Sequence, residues 1–596
     1  MVTTTEQRLS AIRQWLEEER VDALIIPHED EYLGEYIPLH NERLHWLTGF
    51  TGSAGLAIVT KQKAAIFVDG RYTVQVTKQV PSQLYTYCHL IDEPPIDWLL
   101  SHLNQGNCIA IDPKIHSASW LENTQHRLNG KLNLHLLEKN PIDSLWHGRP
   151  IPQVSDVRLM EIDTVGEESI SKRRRIAELI QQKSADSAVI TALDSICWLL
   201  NIRGLDVSRL PVLLSHAIIH ADGTLEFFID PKRLPNDFSS HVGEGVSIYS
   251  PELFRSRLEG LVDTVVLIDP NTSNAWIKLV LQNSGAQTLN SSDPCLLPKA
   301  SKNATEIKGM KACHIRDGVA VSSFLCWLDS EVEQGYLHDE AMLADKLLEF
   351  RQRDSKLVDL SFDTISAAGS NAAMCHYNHE NQPVPGQLEI NSLYLVDSGG
   401  QYLDGTTDIT RTVAIGTPSH EMMKQFTLAL KGHIAVSRAR FPKGTKGYQI
   451  DTLARQYLWA EGYDYDHGTG HGVGHFLNVH EGPASISKRQ VDVPLMEGMI
   501  LSNEPGYYRA DGFGIRIENL ELIVKQPTNG DFDILTFESL TRCPIDIRNI
   551  EIDLLSSDEI DWLNNYHQKV WDDLNQEVSD DSVKAWLYKA TKAISR

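Results

Sequence analysis

Along the first third of the chain the apolar positions follow two rhythms in turn. In RLSAIRQWLEEERVDALIIP, Leu9, Ile12, Trp15 and Leu16 recur at helical spacing, and a short unbroken apolar run follows them. The spacing predicts an amphipathic helix leading into a buried strand. The same order returns in RRRIAELIQQKSADSAVITALDS, where Ile176, Leu179 and Ile180 precede AVI. Each copy then carries an aromatic-led segment, HWLTGF around Trp46 and CWLLNI around Trp198. A pair of strand-like runs closes each copy on an aspartate, Asp69 in AAIFVDGR and Asp230 in LEFFIDPK. A duplicated α/β domain with a period of about 150 residues is the simplest reading, and that period is too long for a solenoid. A chance meeting of two common α/β patterns is the alternative.

Around residue 304 the register changes. NATEIKGMKACHIRDGVAVSSFLCWLDSEV reads as one long helix, with Asn303 or Thr305 able to cap it and Ile307, Met310, Ile315 and Val319 on one face. A second helix is expected over 338–352. Strand-like runs broken by glycine come next: LYLVDSG, DGTTDITRTVAI, GMILSNEPGYY and GIRIENLELIV, with helices over 419–440 and 448–461 between them. These runs predict an α+β domain with an antiparallel sheet. The expected division is 1–155 and 156–303 for the two related α/β domains, then 304–596.

Composition narrows the function classes. A chain of 596 residues is too long for one ordinary domain, and its 42% hydrophobic content supports large cores. The 80 acidic against 55 basic residues give a net charge of −25, which argues against a partner with a phosphate backbone or an anionic membrane surface. No apolar run approaches the roughly 18 residues of a membrane span. The first twenty residues read as a charged amphipathic helix, not a signal peptide. Eight scattered cysteines without a CxxC pair suggest reduced, mostly buried thiols and a cytoplasmic protein.

The chemistry is concentrated after residue 390. YDYDHGTGHGVGHFLNVHEGP, residues 463–483, sets four histidines among five glycines, a composition open to either phosphate or metal. The carboxylates around it decide. Asp397 and Asp408, in LVDSGGQYLDGTTDITRT, fall on two strand segments joined by a glycine-containing turn. Glu504 and Glu518, in SNEPGYYRADGFGIRIENL, bracket a second hairpin. Alternation puts Arg516 and Glu518 on the same inward face as Leu520, Leu522 and Val524. Gathering four carboxylates in a core costs several kcal/mol per ion unless their pKa values rise or cations neutralise them. Two divalent ions would bring balancing charge, and His471 would complete a set of four carboxylates and one imidazole. Such an oxygen-rich set suits Mn²⁺, Co²⁺ or Zn²⁺ better than a thiolate-selecting metal. Five ligands on two ions leave positions open for a hydroxide nucleophile and for Lewis-acid activation of a carbonyl. HGTGHGVG is not a clean GxGxxG and precedes no obvious helix, so the glycines are better read as letting backbone pass close to a crowded pocket.

VDSGGQYLDGTTDITRT, HGTGHGVGHFLNVHEGP and NEPGYYRADGFGIRIEN together resemble the signature segments of the pita-bread metallopeptidases, most closely the large three-domain cytosolic Xaa-Pro aminopeptidases (the aminopeptidase P family). The resemblance extends over nearly the whole chain, including DGRY near Arg71 and the C-terminal EIDWLNNYH. It implies two creatinase-like α/β domains followed by a pita-bread catalytic domain. It also implies two divalent ions, usually Mn²⁺ with Zn²⁺ or Co²⁺ as alternatives, held by Asp397, Asp408, His471, Glu504 and Glu518, with Asp408 and Glu518 bridging. His376 then matches a substrate-side histidine and His480 one that passes a proton or steadies the tetrahedral intermediate. His467 and Arg516 match pocket-lining residues, and Arg71 an arginine of the first domain that reaches substrate. His379 and His475 match nothing in the pattern and are expected to pack. The implied activity is hydrolysis of the bond before proline in oligopeptides by metal-activated hydroxide, with Glu504 able to take the proton, in a cytoplasmic homodimer without nucleic-acid or membrane partners. Two alternatives stay open: an Xaa-Pro dipeptidase on the same catalytic domain, which usually carries only one N-terminal domain, and a non-catalytic peptide-binding relative, which would have lost ligands.

Overall fold

The computed structural model describes residues 4–596, which form two compact units. One runs to Ile162 and from Glu167 to Leu296; the other comprises Asp163–Gly166 and Leu297–Arg596.

In the first unit the opening pattern becomes helix Thr5–Glu18, which buries Leu9, Ile12 and Leu16. A capping box between Thr4 and Gln7 starts it. Strand Ala23–Pro27 follows, buried at all five positions, which accounts for its unbroken apolar run. It pairs antiparallel with Leu56–Thr60 and parallel with Cys108–Ile111, at the centre of a six-stranded sheet. The second copy repeats this wiring. Helix Ser169–Gln182 leads to strand Ser187–Ile190, which pairs antiparallel with His216–His220 and parallel with Val265–Ile268 in a sheet of the same strand order. The aspartates that close each copy also act alike. Asp69 accepts from the Arg71 amide at 3.0 Å, and Asp230 from the Lys232 amide at 3.0 Å. Two sheets sharing order, sense and turn chemistry exclude the chance-similarity reading.

The second unit begins on helix Ala304–Glu333, capped by Asn303 in a capping box with Glu306. Its buried face differs from the expected one. Met310 is fully buried, but Ile307, Ile315 and Val319 are only half-buried, and the interior is reached by Cys313, Asp317, Val321, Phe324 and Leu328. Asp317 belongs there because Arg351 binds it at 2.7 Å and the Tyr402 hydroxyl donates to it at 2.7 Å. Helices Glu340–Arg351, His420–Ser437 and Gly447–Ala460 fall where expected.

Most of the remaining strands fall in two antiparallel sheets. One has three strands, Ile365–Ala368, Ser392–Ser398 and Ile409–Ile415. The other has six, with Asn519–Gln526 between Ile534–Ser539 and Ile500–Asn503. The alternation assigned to Asn519–Gln526 fails over its first five residues, which are buried on both faces, while Val524 is only half-buried. Leu520 and Leu522 pack with Met310 of the long helix, and Ile523 packs with Val436 of His420–Ser437, so a helix covers each side. Each such apolar side chain contributes about 1.5–3 kcal/mol by leaving water. Arg411, wholly buried, ties this layer to helix Ser557–Leu574, the last but one of the chain. Its guanidinium donates to the Glu518, Cys543 and Pro544 carbonyls and to the Tyr566 hydroxyl. Among the described residues none of the eight cysteines forms a disulfide, five of them are buried, and no helix is long and apolar enough to cross a membrane.

Candidate metal centre

Two antiparallel pairings bring the acidic residues together. Asp397 lies within Ser392–Ser398, opposite Thr410 in register. Asp408 stands one residue ahead of Ile409–Ile415 and not inside a strand. The simple turn expected between them is a small hairpin, Gly400–Tyr402 against Gly405–Thr406, in a separate sheet. This hairpin leans on the long helix: Arg316 binds Asp404 at 2.5 Å, and the Thr406 amide points at the Met310 sulfur, 3.4 Å away. On the other side Asn503 pairs with Asn519, so Glu504 and Glu518 leave one ladder at the same end. His471 is the middle residue of the three-residue strand Gly470–Gly472. A Cβ at Gly470 would lie 2.0 Å from the Ser502 carbonyl oxygen, so glycine here permits the close approach that delivers the imidazole.

Asp397, Asp408 and Glu518 are 8%, 4% and 2% exposed. His471 Nε2 lies 3.5 Å from Asp408 Oδ2 and 3.5 Å from Glu504 Oε1. Asp408, His471 and Glu518 each present a ligand atom, all within 4.8 Å of one another. His471 Nδ1 donates to the Gly472 carbonyl at 2.9 Å, which leaves Nε2 to the carboxylates. Thr410 Oγ1 donates to Glu518 at 2.7 Å, and Ser502 Oγ to Glu504 at 3.0 Å. Asp397 Oδ1 is buried without a hydrogen-bond partner.

The electrostatics record the crowding. Burial pushes Asp397 up to about 6, with Arg516 opposing and Asp408 adding. Burial, then Asp408, Glu504 and Asp397, hold Glu518 well above the carboxylate range, and burial also raises Glu504. Burial favours the neutral ring of His471, but Asp408 and Glu504 outweigh it and push the group up to about 9.

One wall of the site is a polar chain. Arg516 Nη2 binds Asp397 at 2.5 Å, its Nε donates to Thr410 Oγ1 at 3.1 Å, and its Nη1 to the Tyr508 hydroxyl at 2.7 Å. The same hydroxyl meets His467 Nε2 at 2.7 Å. Tyr508, Thr410 and Ser502 were not singled out in the sequence. Tyr508 was the accessible one, since Gly506 opposes Arg516 and Tyr508 opposes Gly514, which sets residues 508 and 516 on one face of the hairpin. His467 is steadied through its carbonyl, which accepts from Arg455 at 2.8 Å. The His480 ring stands 4.4 Å from that of His471, nearly perpendicular to it. Glu481, next in sequence, is locked by the buried amines of Lys299 and Lys302. His376 lies on the 369–391 segment, whose turn at Ala372 packs against Gly514 of the strand that ends in Arg516. His475 is buried beside Gly309 of the long helix, as packing requires. Arg71 belongs to the first unit, where Asp69 holds its guanidinium at 2.7 Å.

Residues 308–525 match the sequence profile of metallopeptidase family M24, and 533–594 that of its C-terminal region. Residues 8–139 and 148–306 each match a creatinase/prolidase N-terminal domain. The chain is 38% identical to a probable Xaa-Pro aminopeptidase P of Tuber melanosporum, over 99% of both chains. This chain belongs to metallopeptidase family M24. It is also 37% identical to aminopeptidase P2 of Arabidopsis thaliana, over 99% of this chain and 89% of the other. Its fold matches the crystal structure of an X-prolyl aminopeptidase from Caenorhabditis elegans with a TM-score of 0.95 and 34% identity, covering 99% of this chain and 100% of that one. That enzyme is described as cytosolic, with a di-nuclear active site. The M24 assignment agrees with the two creatinase-like α/β repeats and the pita-bread domain expected after them.

The donor set of this M24 chain fits hard or borderline divalent cations: clustered carboxylates, one imidazole with Nε2 turned inward, and an unsatisfied Asp397 oxygen. Ligation requires a neutral imidazole, so an ion held by His471 near pH 7 would have to displace the proton that Asp408 and Glu504 favour on it. Mn²⁺ added to chelator-stripped protein in weak buffer is therefore expected to acidify the solution, and apparent affinity should fall as pH drops from 8 to 6. A pH-independent affinity with no proton release, measured by titration calorimetry in two buffers, would contradict this picture.

Proposed function

We propose that the chain is an Xaa-Pro aminopeptidase that removes the N-terminal residue from oligopeptides with proline in second position. The observation that carries the reading is the convergence of buried Asp408 and Glu518 on half-buried His471, with Asp397 and Glu504 beside them, in a chain aligned end to end with such enzymes. We assign Asp397, Asp408, His471, Glu504 and Glu518 as the residues that would hold two divalent ions, proposed to be Mn²⁺ with Zn²⁺ or Co²⁺ as substitutes. Bound there, the ions supply Lewis acidity toward the scissile carbonyl and toward water.

The chain's own groups do the rest. Glu504, with one oxygen held by Ser502, is assigned to accept a proton and later release it to the leaving nitrogen. His480, set against His471, is assigned to steady the oxyanion. His467 and Arg516, joined through Tyr508, give the pocket a rigid wall suited to a ring of fixed shape, and His376 is assigned to its substrate side. Proline removes the amide N–H and fixes φ near −65°, so shape must replace the hydrogen bond an ordinary aminopeptidase would use. Arg71 is assigned to substrate on the family pattern alone. The domain division 1–155, 156–303 and 304–596, cytoplasmic location and a homodimer complete the proposal.

Arg-Pro-Pro should be cleaved with Mn²⁺ present, whereas Arg-Ala-Pro should resist and Arg-Pro should be a poor substrate. Comparable kcat/KM for the alanine peptide would reject proline selectivity, and preference for the dipeptide would make the enzyme a prolidase. His480→Ala should lower kcat about 10²–10⁴-fold at unchanged metal content. Loss of metal in that variant would instead make His480 a ligand. Sedimentation at micromolar concentration should give twice the chain mass, and a monomer would end the dimer assignment.

A further inference from the structure

Between strands Ile365–Ala368 and Ser392–Ser398 the chain makes an excursion over 369–391 that contains only two short 3₁₀ turns. Connections this long are uncommon in compact domains unless they serve a site or are disordered. This one is tethered, and nearly every tether converges on a single carboxylate outside the metal cluster.

Glu340, the first residue of helix Glu340–Arg351, is 0% exposed. Its Oε1 accepts from the Ala368 amide at 2.7 Å and from Asn371 Nδ2 at 2.9 Å. Its Oε2 accepts from the Tyr377 hydroxyl at 2.6 Å and the Gly386 amide at 2.6 Å. Four donors come close to the full capacity of a carboxylate, and the helix N-terminus favours the negative charge they surround. The donors come from the start, middle and end of the excursion. Its return is laddered to the same helix end, through Glu340 amide to Gly386 carbonyl at 2.9 Å and Leu388 amide to His338 carbonyl at 3.0 Å. Its outbound turn presses on the strand that ends in Arg516, since a Cβ at Gly514 would lie 1.8 Å from the Ala372 carbonyl oxygen. His376 sits between these fixed points, with Tyr377 the next residue and only 2% exposed.

We propose that Glu340 is a positioning residue for His376: it gathers both ends of the 369–386 loop and sets the histidine at the edge of the Tyr508–Arg516 wall where the proline ring is to be received. The carboxylate touches no substrate and no metal ligand; it acts by removing freedom from the loop. A side chain that would otherwise sample many positions is held in one, and that restriction is what a pocket selecting by shape requires. The inference rests on the assignment of His376 to substrate made above.

Two readouts separate the tether from the function. Amide hydrogen exchange needs no substrate: Glu340→Gln and Tyr377→Phe should speed exchange across 369–386 and leave the strand Ile409–Ile415 at its wild-type rate. Kinetics with Arg-Pro-Pro should show kcat/KM down about 10–100-fold in Glu340→Gln and less in Tyr377→Phe, at wild-type metal content. Neither change should lower kcat/KM further in a His376→Ala background, because the loss is transmitted through that ring. Unchanged exchange in the loop, or losses that multiply with His376→Ala, would overturn the proposal. Should Glu340→Gln fail to fold, Tyr377→Phe keeps three of the four donors and carries both comparisons. A wild-type protein inactive on Arg-Pro-Pro would defeat the functional assignment, while the exchange experiment would still decide whether Glu340 holds the loop.

Discussion

Mutual repulsion among buried carboxylates is the constraint around which the second unit is arranged. Asp397, Asp408 and Glu518 are buried with Glu504 beside them, and the crowded charges raise the energy of ionising Asp397 and Glu518. The surrounding structure answers with directed partial charges. Thr410 and Ser502 donate hydroxyls to Glu518 and Glu504, and Arg516 binds Asp397. These contacts cover only part of the oxygen surface. What remains open faces one small volume, the condition for holding a multivalent cation tightly without surrounding it.

The scaffold has to keep that volume from expanding, and it does so with backbone more than with apolar packing. Asp397 and Asp408 are fixed by a ladder that begins beside them, and Glu504 and Glu518 by the Asn503–Asn519 pair. Arg411 runs beneath both arrangements. Its contacts to the Glu518 carbonyl and to Cys543 and Tyr566 connect the strands beside the acidic cluster to helix Ser557–Leu574 without a compensating carboxylate. A cation satisfied only by neutral acceptors carries its positive charge toward the acidic cluster, and the desolvation it suffers is offset by the hydrogen bonds it makes.

Much of this was legible in the sequence because the signals are local. The Asn303–Glu306 capping box starts the long helix, the repeated helix–strand order announced the duplicated sheets, and four acidic residues beside glycine-broken strands announced metal chemistry. What failed was every inference that assumed one wet face. The face assigned to the long helix missed Asp317, since a paired aspartate in a core has the hydropathy of a surface residue. The alternation read into Asn519–Gln526 failed because helices cover both sides of it. Tyr508 and Glu340 escaped notice for a different reason. Their importance lies in partners 8 and up to 46 positions away, and only register reveals them.

The small hairpin between Asp397 and Asp408 has a bearing on how such a site can be inherited or transplanted. The eleven-residue interval looks like a spacer, yet it is a folded object clasped by Arg316 and lodged against Met310. It is seated on a helix 88 to 96 residues upstream and not only bounded by the aspartates at its ends. The smallest portable piece is therefore not the motif but the motif together with that helix. Recombination that respects the sequence signature while exchanging the helix would carry the ligands across and leave behind the surface that spaces them.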